Sequence, residues 1–450
     1  MHPFRAVTAR SWLPGSAGAV GALAFLLFLL APPPAAALPV FARQTGQNCM
    51  ACHAGGQFPE LTPYGRMFKL TGYTIGKRTI PFALMAVGTY AKVASTKDAA
   101  NGTPGVTYAK NGQPLFAGGS LFVAGKITDN IGAFVQATYD NYASQSPNGQ
   151  WHGHASADNM DFRYADHLIW GTDDLIYGFS LNNNPSVSDP WNTAPAWMQY
   201  VPPASTGAYQ FTDANAPYPG TASDDGVAGL TAYALWNKSI YGEFGLYRTA
   251  DKFLSFMVFN TPSGDRTRLD GNNNPYWRLA YTHEWGPSNI MVGTSGMVAH
   301  IFDGSTMPSD PHAYQKVSNV GLDAQYQYIL DPDTITAQLA YTKFNVDDSV
   351  NGGGGNGIDK PEVFRGKLSY VYMARYGGSV AYFDQTDSKD PTQATRGETF
   401  ELFWNPIQYI RVGAQYTAYD KYAGASSNYD GFGRNASDNN TLFLYVWAAY

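Results

Sequence analysis

Leu442-Phe443-Leu444-Tyr445-Val446-Trp447-Ala448-Ala449-Tyr450 is a run of aliphatic and aromatic residues that no turn residue interrupts, and it reads as a β-strand ending on an aromatic. Working back from it, segments of the same kind recur, alternating small or polar residues with apolar or aromatic ones. They span Leu121–Ile127, Ile131–Tyr139, Leu175–Leu181, Gly229–Trp236, Ser239–Tyr247, Tyr276–Trp285 and Asn289–His300. Further along come Gly321–Ile329, Thr334–Phe344, Phe364–Met373, Ser379–Asp384, Thr399–Trp404 and Ile410–Tyr419. Period-two alternation puts successive side chains on opposite faces of a sheet, so the chain after residue 80 is all-β.

The connections carry the next inference, because they alternate in length. Thr128-Asp129-Asn130, Asn237-Lys238, Gly286-Pro287-Ser288, Asp331-Pro332-Asp333, Tyr376-Gly377-Gly378 and Asn405-Pro406-Ile407 are expected as tight turns. The stretches 97–114, 142–158, 184–224, 302–315, 346–361 and 421–438 are expected as long polar loops. Tight turns at one end and long loops at the other suit an antiparallel meander through a bacterial outer membrane. Aromatics gather at strand ends, as at Tyr139, Trp170, Trp236, Trp285, Trp404 and Tyr450, where an interfacial girdle would need them. A soluble β-sandwich would explain neither feature. The expectation is a transmembrane β-barrel over residues 80–450, of about sixteen strands, closed by the C-terminal segment and wide enough for a lumen.

Composition agrees. The 450 residues include 31 Tyr, 25 Phe and 10 Trp but only 14% charged residues, with a net charge of −6 that favours no nucleic-acid partner. Arg5, Arg10, the apolar run Ala19–Leu30 and the small residues Ala35-Ala36-Ala37 read as an export signal over residues 1–37, rather than a retained anchor. Two-carboxylate hydrolase pairs, phosphate loops and serine nucleophile motifs do not stand out.

Between signal and barrel, residues 38–79 hold the chain's two cysteines in Cys49-Met50-Ala51-Cys52-His53. A disulfide across two intervening residues would close a short loop and stabilise little. C-x-x-C-H instead matches the attachment site of a c-type haem. Each thiol can form a thioether to one vinyl group of a single porphyrin, and the adjacent imidazole then ligates the iron. One covalent haem c on Cys49, Cys52 and His53 is therefore expected, in a segment too short to build its own core and so docked in or beneath the lumen as a plug.

Three stretches carry a family resemblance: Pro39-Val40-Phe41-Ala42-Arg43-Gln44-Thr45-Gly46, the C-x-x-C-H itself, and Phe58-Pro59-Glu60-Leu61-Thr62-Pro63-Tyr64-Gly65-Arg66-Met67-Phe68-Lys69 with Gly72-Tyr73-Thr74. They resemble the fused cytochrome–porin family, whose best-known members oxidise ferrous iron outside the cell. The likeness extends to Asn182-Asn183-Asn184-Pro185 and Asp189-Pro190-Trp191-Asn192 and is architectural elsewhere. It implies a monohaem plug in an outer-membrane barrel, passing electrons from an extracellular donor, Fe(II) first among them, to periplasmic carriers. Two other readings are a diffusion porin whose haem segment gates or senses, and a haem enzyme with an open distal position.

The remaining site residues are less determined. Met67, Met85, His167 and His300 are candidates for the distal iron ligand, whereas Met50 cannot reach across the ring. A methionine in such a place more often packs than ligates. Arg43, Arg66 and Lys69 could pair with haem propionates or with the barrel. Trp151-His152-Gly153-His154, with Asp158 and Asp161, would lie in an external loop, where imidazoles and carboxylates could dock Fe(II) or simply be solvated. Asp173-Asp174, Asp224-Asp225 and Asp347-Asp348 are expected as solvated turns or loop tips.

Overall fold

A computed structural model describes residues 39–56, 60–95, 111–146, 148, 150–191, 226–260, 268–302, 314–347, 357–386 and 394–450. The export signal expected over residues 1–37 lies outside them.

The wall consists of sixteen long strands: β1 Phe82–Val93, β2 Pro114–Lys126, β3 Ile131–Gln145, β4 Trp151–Trp170, β5 Asp173–Asn182, β6 Val227–Trp236, β7 Ile240–Thr249 and β8 Asn274–Trp285 in its first half. The second half is β9 Ser288–Phe302, β10 Gln315–Leu330, β11 Asp333–Asp347, β12 Glu362–Tyr372, β13 Tyr376–Thr386, β14 Thr395–Ile407, β15 Ile410–Lys421 and β16 Thr441–Ala449. Each pairs antiparallel with the next. Two-residue strands at Arg268–Leu269 and Ile358–Asp359 only prolong the pairing of β9 and β11. Closure comes from β16 on β1, from Met85 opposite Ala449 to Val93 opposite Thr441. Tyr450 extends it by exchanging backbone hydrogen bonds with Leu84. A closed sheet leaves no unpaired edge, which hydrocarbon would not tolerate.

Alternation sorts the residues as expected of such a wall. Outward positions carry Leu230, Phe244, Leu279, Val292, Leu322, Leu339, Leu368, Phe400, Leu402 and Leu444, all large, apolar and exposed. Trp170, Trp236, Trp285, Tyr372, Tyr376, Trp404 and Tyr450 form an exposed aromatic girdle at the tight-turn end. Inward positions of the same strands carry buried Asn289, Gln325, Gln327, Gln338, Arg365, Lys367, Glu401 and Gln415. An apolar belt around a polar inside is the surface of a barrel standing in a bacterial outer membrane, with the tight turns periplasmic.

Several boundaries differ from expectation. The turns placed at 376–378 and 405–407 are strand, and the chain reverses at Met373-Ala374-Arg375 and Gln408-Tyr409 instead. Cross-strand pairing carries β13 through Gly377 and Gly378, whereas β14 passes Asn405 and Pro406 as a bulge between the Trp404–Val412 and Ile407–Ile410 pairs. The loop expected over 142–158 is largely strand, because β3 and β4 extend beyond the neighbouring β5 and β6. His152 and His154 therefore sit on β4 and not on a loop.

The plug comprises α1 Pro39–Thr45, α2 Cys49–Cys52 and α3 Pro63–Leu70. It lies inside the wall at the tight-turn end. A segment after β5 folds inward to meet it and buries Ser188, Asp189 and Trp191.

Candidate functional site

The C-x-x-C-H stretch folds as one helical turn. Asn48 caps it, its side chain accepting from the Ala51 amide at 3.1 Å, and His53 closes it with its N–H on the Cys49 carbonyl at 2.8 Å. Residues three apart on a helix share a face, so the two cysteines stand one above the other and are not bridged to each other. After His53 the backbone runs antiparallel to Leu61. The Ala54 amide donates to Glu60 and that of Thr62 to Cys52, both at 2.9 Å. Thr62 ties the two helices together, its hydroxyl donating to the Ala51 carbonyl at 2.5 Å and capping α3 at the Gly65 amide, 3.1 Å away. Gly65 is required there: a Cβ would sit 2.2 Å from the Cys52 carbonyl oxygen.

The wall supplies the other side of this site. The Cys49 thiol is buried and donates to the Gln408 carbonyl at 3.1 Å, in the turn between β14 and β15. Gly55, at φ 59°, lies against the Val371 side chain of β12. Arg411 of β15, only 3% exposed, donates from Nη2 to the Gly56 carbonyl at 3.0 Å and from Nε to Asn405 Oδ1 at 3.1 Å. Its guanidinium lies 4.2 Å over the Phe403 ring. Burial pushes the thiols of Cys49 and Cys52 up to about 12 and about 11, so both are protonated. Burial, reinforced by the Arg411 charge, pushes the His53 imidazole down to about 3. It is therefore neutral, the form that ligates a metal.

This donor set fits a c-type haem: two unbridged thiols one helical turn apart, followed at once by a neutral imidazole. Cys49 and Cys52 would hold the porphyrin and His53 the iron.

The other sequence candidates are distributed around the plug. Arg43 donates to the carbonyls of Ile80, at 3.3 Å, and Phe82, where the chain enters β1. Arg66 donates to Asn289 Oδ1 at 2.9 Å, Gln327 Oε1 at 3.1 Å and Gln325 Oε1 at 3.3 Å, all on the wall. Lys69 donates to the Asp189 carbonyl of the inward segment at 2.8 Å. Met67 packs against a buried cluster that includes Leu70, Trp191 and Met291. Met85 packs among Val40, Ala83 and Phe122 on one side and Tyr445 and Trp447 on the other. His167 pairs with Asp174 near a tight turn, and His300 stacks edge-on to Tyr314 at the opposite end of the barrel.

The proposed external metal cluster does not assemble. His152 bonds Ser146 Oγ and His154 the Asn260 carbonyl, while Asp158 takes Thr138 and Asn159. Asp161 is buried in the lumen with Arg163 at 2.6 Å and Tyr73 Oη at 2.6 Å. Among the described residues no group of three or more His, Cys, Asp or Glu could hold a metal ion. Asp173 and Asp174, expected in a solvated turn, instead open β5 just after the turn and bond the Asn237 side chain. Asp224, Asp225 and Asp348 lie outside the described residues.

Sequence reasoning missed the wall side of the plug. Glu60, fully buried, is ion-paired with Lys367 of β12. Arg278 of β8 holds Asp189 at 3.1 Å and Asp323 at 2.7 Å, and its guanidinium lies 5.6 Å over Trp191. A charged residue at an inward position of a barrel strand was the one available signal, and Lys367, Arg278 and Arg411 all carry it. Their plug and inward-segment partners lie in another layer, 307 residues away for Lys367 and 355 for Arg411, where strand periodicity says nothing.

No family model and no curated relative matches the chain. Among solved structures it is similar to Salmonella typhi OmpF in complex with daunomycin, at 10% identity and a TM-score of 0.45, over 82% of this chain and 97% of that one. It is also similar to the outer membrane channel DcaP of Acinetobacter baumannii, at 10% identity and a TM-score of 0.44, over 82% and 96%. The anion-selective porin from Comamonas acidovorans shares 12% identity and a TM-score of 0.43, over 82% and 98%. The barrel assignment stands on this chain's own strand pairing and exterior: it is a closed, membrane-spanning barrel whose N-terminal segment packs against the inner wall at the tight-turn end.

Proposed function

We propose that the chain is an outer-membrane cytochrome–porin fusion that passes electrons from an extracellular donor, Fe(II) first among them, to periplasmic carriers. The observation that supports this most is the attachment motif itself, presented as one capped helical turn with unbridged thiols and a neutral imidazole at the periplasmic mouth. A bound haem would supply a one-electron redox centre. The chain's own residues do the rest. Thr62 and Gly65 press α3 onto the attachment turn, Glu60 and Arg66 fasten it to the wall, and Gln408 and Arg411 close over its outer side. The barrel keeps lipid away from the site and sets it in a polar lumen. A donor whose oxidised form precipitates, as Fe(III) does, is best oxidised from outside the cell.

Purified protein in detergent, separated under denaturing conditions, is expected to retain haem in a covalent stain and to show the added macrocycle by mass spectrometry. Adding Fe(II) is expected to reduce it, followed in the visible spectrum. A chain without covalent haem removes the cytochrome reading, and haem that Fe(II) leaves oxidised removes iron as donor.

One observation favours the second reading, a diffusion porin with a structural plug: a sixteen-strand wall with a polar inner surface is built like that of a solute channel. Conductance in planar bilayers separates the two, since solute passage by the full chain would support the porin.

A further inference from the structure

We propose that Arg411 is the wall cation that sets the electrostatics of the haem site, raising its reduction potential by facing the attachment segment from β15. The inference rests on the cytochrome reading above.

Three observations place Arg411 in this role. It is nearly fully buried, and its Nη2 touches the backbone three residues after His53, at the Gly56 carbonyl. It is fixed rather than mobile: Nε is held by Asn405 Oδ1 and the guanidinium plane by Phe403. Asn405 is itself anchored, donating from its side chain to the Ala374 carbonyl at 3.0 Å across the neighbouring turn. The two plug arginines that the sequence offered as propionate partners point elsewhere. Arg43 is directed to the carbonyls of Ile80 and Phe82, and Arg66 to the amide side chains of Asn289, Gln325 and Gln327.

The physics follows from the position. Oxidising a haem iron adds one positive charge to the site, and a fixed positive charge nearby opposes that addition. At a buried site such as this, where Arg411 is 3% exposed, the opposition is felt more strongly than in solvent. Arg411 therefore favours the reduced form. Lysine would keep the charge but lose the forked contacts to Gly56 and Asn405.

The test uses the full holoprotein in detergent, with haem content from the pyridine haemochrome and potential from a spectroelectrochemical titration. Arg411→Gln is expected to retain covalent haem with a lower potential, Arg411→Lys to recover most of the wild-type value, and Arg43→Gln to leave it in place. An unchanged potential in Arg411→Gln overturns the proposal while leaving the cytochrome intact. Should Arg411→Gln fail to fold, Asn405→Asp sets an anion against Nε, and is expected to lower the potential too; an unchanged value there overturns the proposal equally. A wild-type chain lacking covalent haem would instead overturn the reading on which the proposal rests.

Discussion

Glu60 illustrates how much a single plug residue carries. Its carboxylate is fully buried and meets Lys367, itself 4% exposed at the side chain, across the boundary between plug and wall. Removing one partner of such a pair leaves a buried charge uncompensated, at a cost of about 3–5 kcal/mol. Glu60→Gln is thus expected to loosen the plug, measured as faster proteolysis of residues near the attachment turn in the folded barrel. Lys367→Met added to it removes the stranded charge and is expected to recover much of the protection. Gly65 makes a second, steric demand. A side chain there meets backbone, the Cys52 carbonyl, and backbone cannot rotate away. Gly65→Val is expected to displace α3 from α2 and to lower haem incorporation, read as haem absorbance per protein, while the barrel still folds. Neither demand is visible in the sequence: Gly65 reads as an ordinary residue in a short helix, and Glu60 has no local partner.

The strands reward pattern reading more than the plug does. Leu322, 60% exposed and centred in β10 between Thr294 and Tyr341, faces lipid. Leu322→Arg is expected to cost about 2–4 kcal/mol, as a cation near the membrane midplane does, checked as a lowered midpoint in denaturant unfolding from vesicles. Such faces are legible because they repeat every second residue. The strands that escaped, β1 and β4, fail the pattern for identifiable reasons. In β1 the small residues Ala83, Ala86, Gly88 and Ala91 blur the alternation. In β4 the run from Trp151 to Asp166 carries histidines, aspartates and an arginine, several of which belong to lumen networks. Polar residues that suggest a loop in a soluble protein are ordinary on the inner face of a barrel. The misplaced turns at 376–378 and 405–407 have the opposite origin: glycine and proline signal a bend, but cross-strand pairing carries the chain through Gly377 and Gly378, and a bulge accommodates Asn405 and Pro406. The C-x-x-C-H group can be picked out because it is local, and it folds as one helical turn. Its wall partners Gln408, Asn405 and Arg411 cannot be, since a contact between residues some 350 positions apart leaves no local trace.

At the scale of the molecule, the question is whether the lumen conducts. Three layers meet inside it: the plug, the inward segment that carries Trp191, and the wall. They are joined by charge as well as by packing. Lys69 of the plug donates to Asp189, Asp189 pairs with Arg278 of the wall, and Arg278 pairs again with Asp323. Tyr73 of the plug donates to Asp161, which pairs with Arg163, and Arg163 donates to the Ser188 carbonyl of the inward segment at 2.9 Å. Each layer is thus held by the other two, and loss of one contact leaves the others standing. The full chain is accordingly expected to conduct poorly in planar bilayers, and a single change such as Tyr73→Phe to alter that little. Combining Glu60→Gln with Arg66→Gln unfastens the plug from both β10 and β12, and is expected to raise single-channel conductance several-fold. The barrel itself should persist, seen as heat-modifiable mobility on gels, because the sixteen strands close through β1 and β16 without help from the plug. High conductance in the unmodified chain would mean that these networks leave a path open, and the case for an electron conduit over a solute pore would go with it.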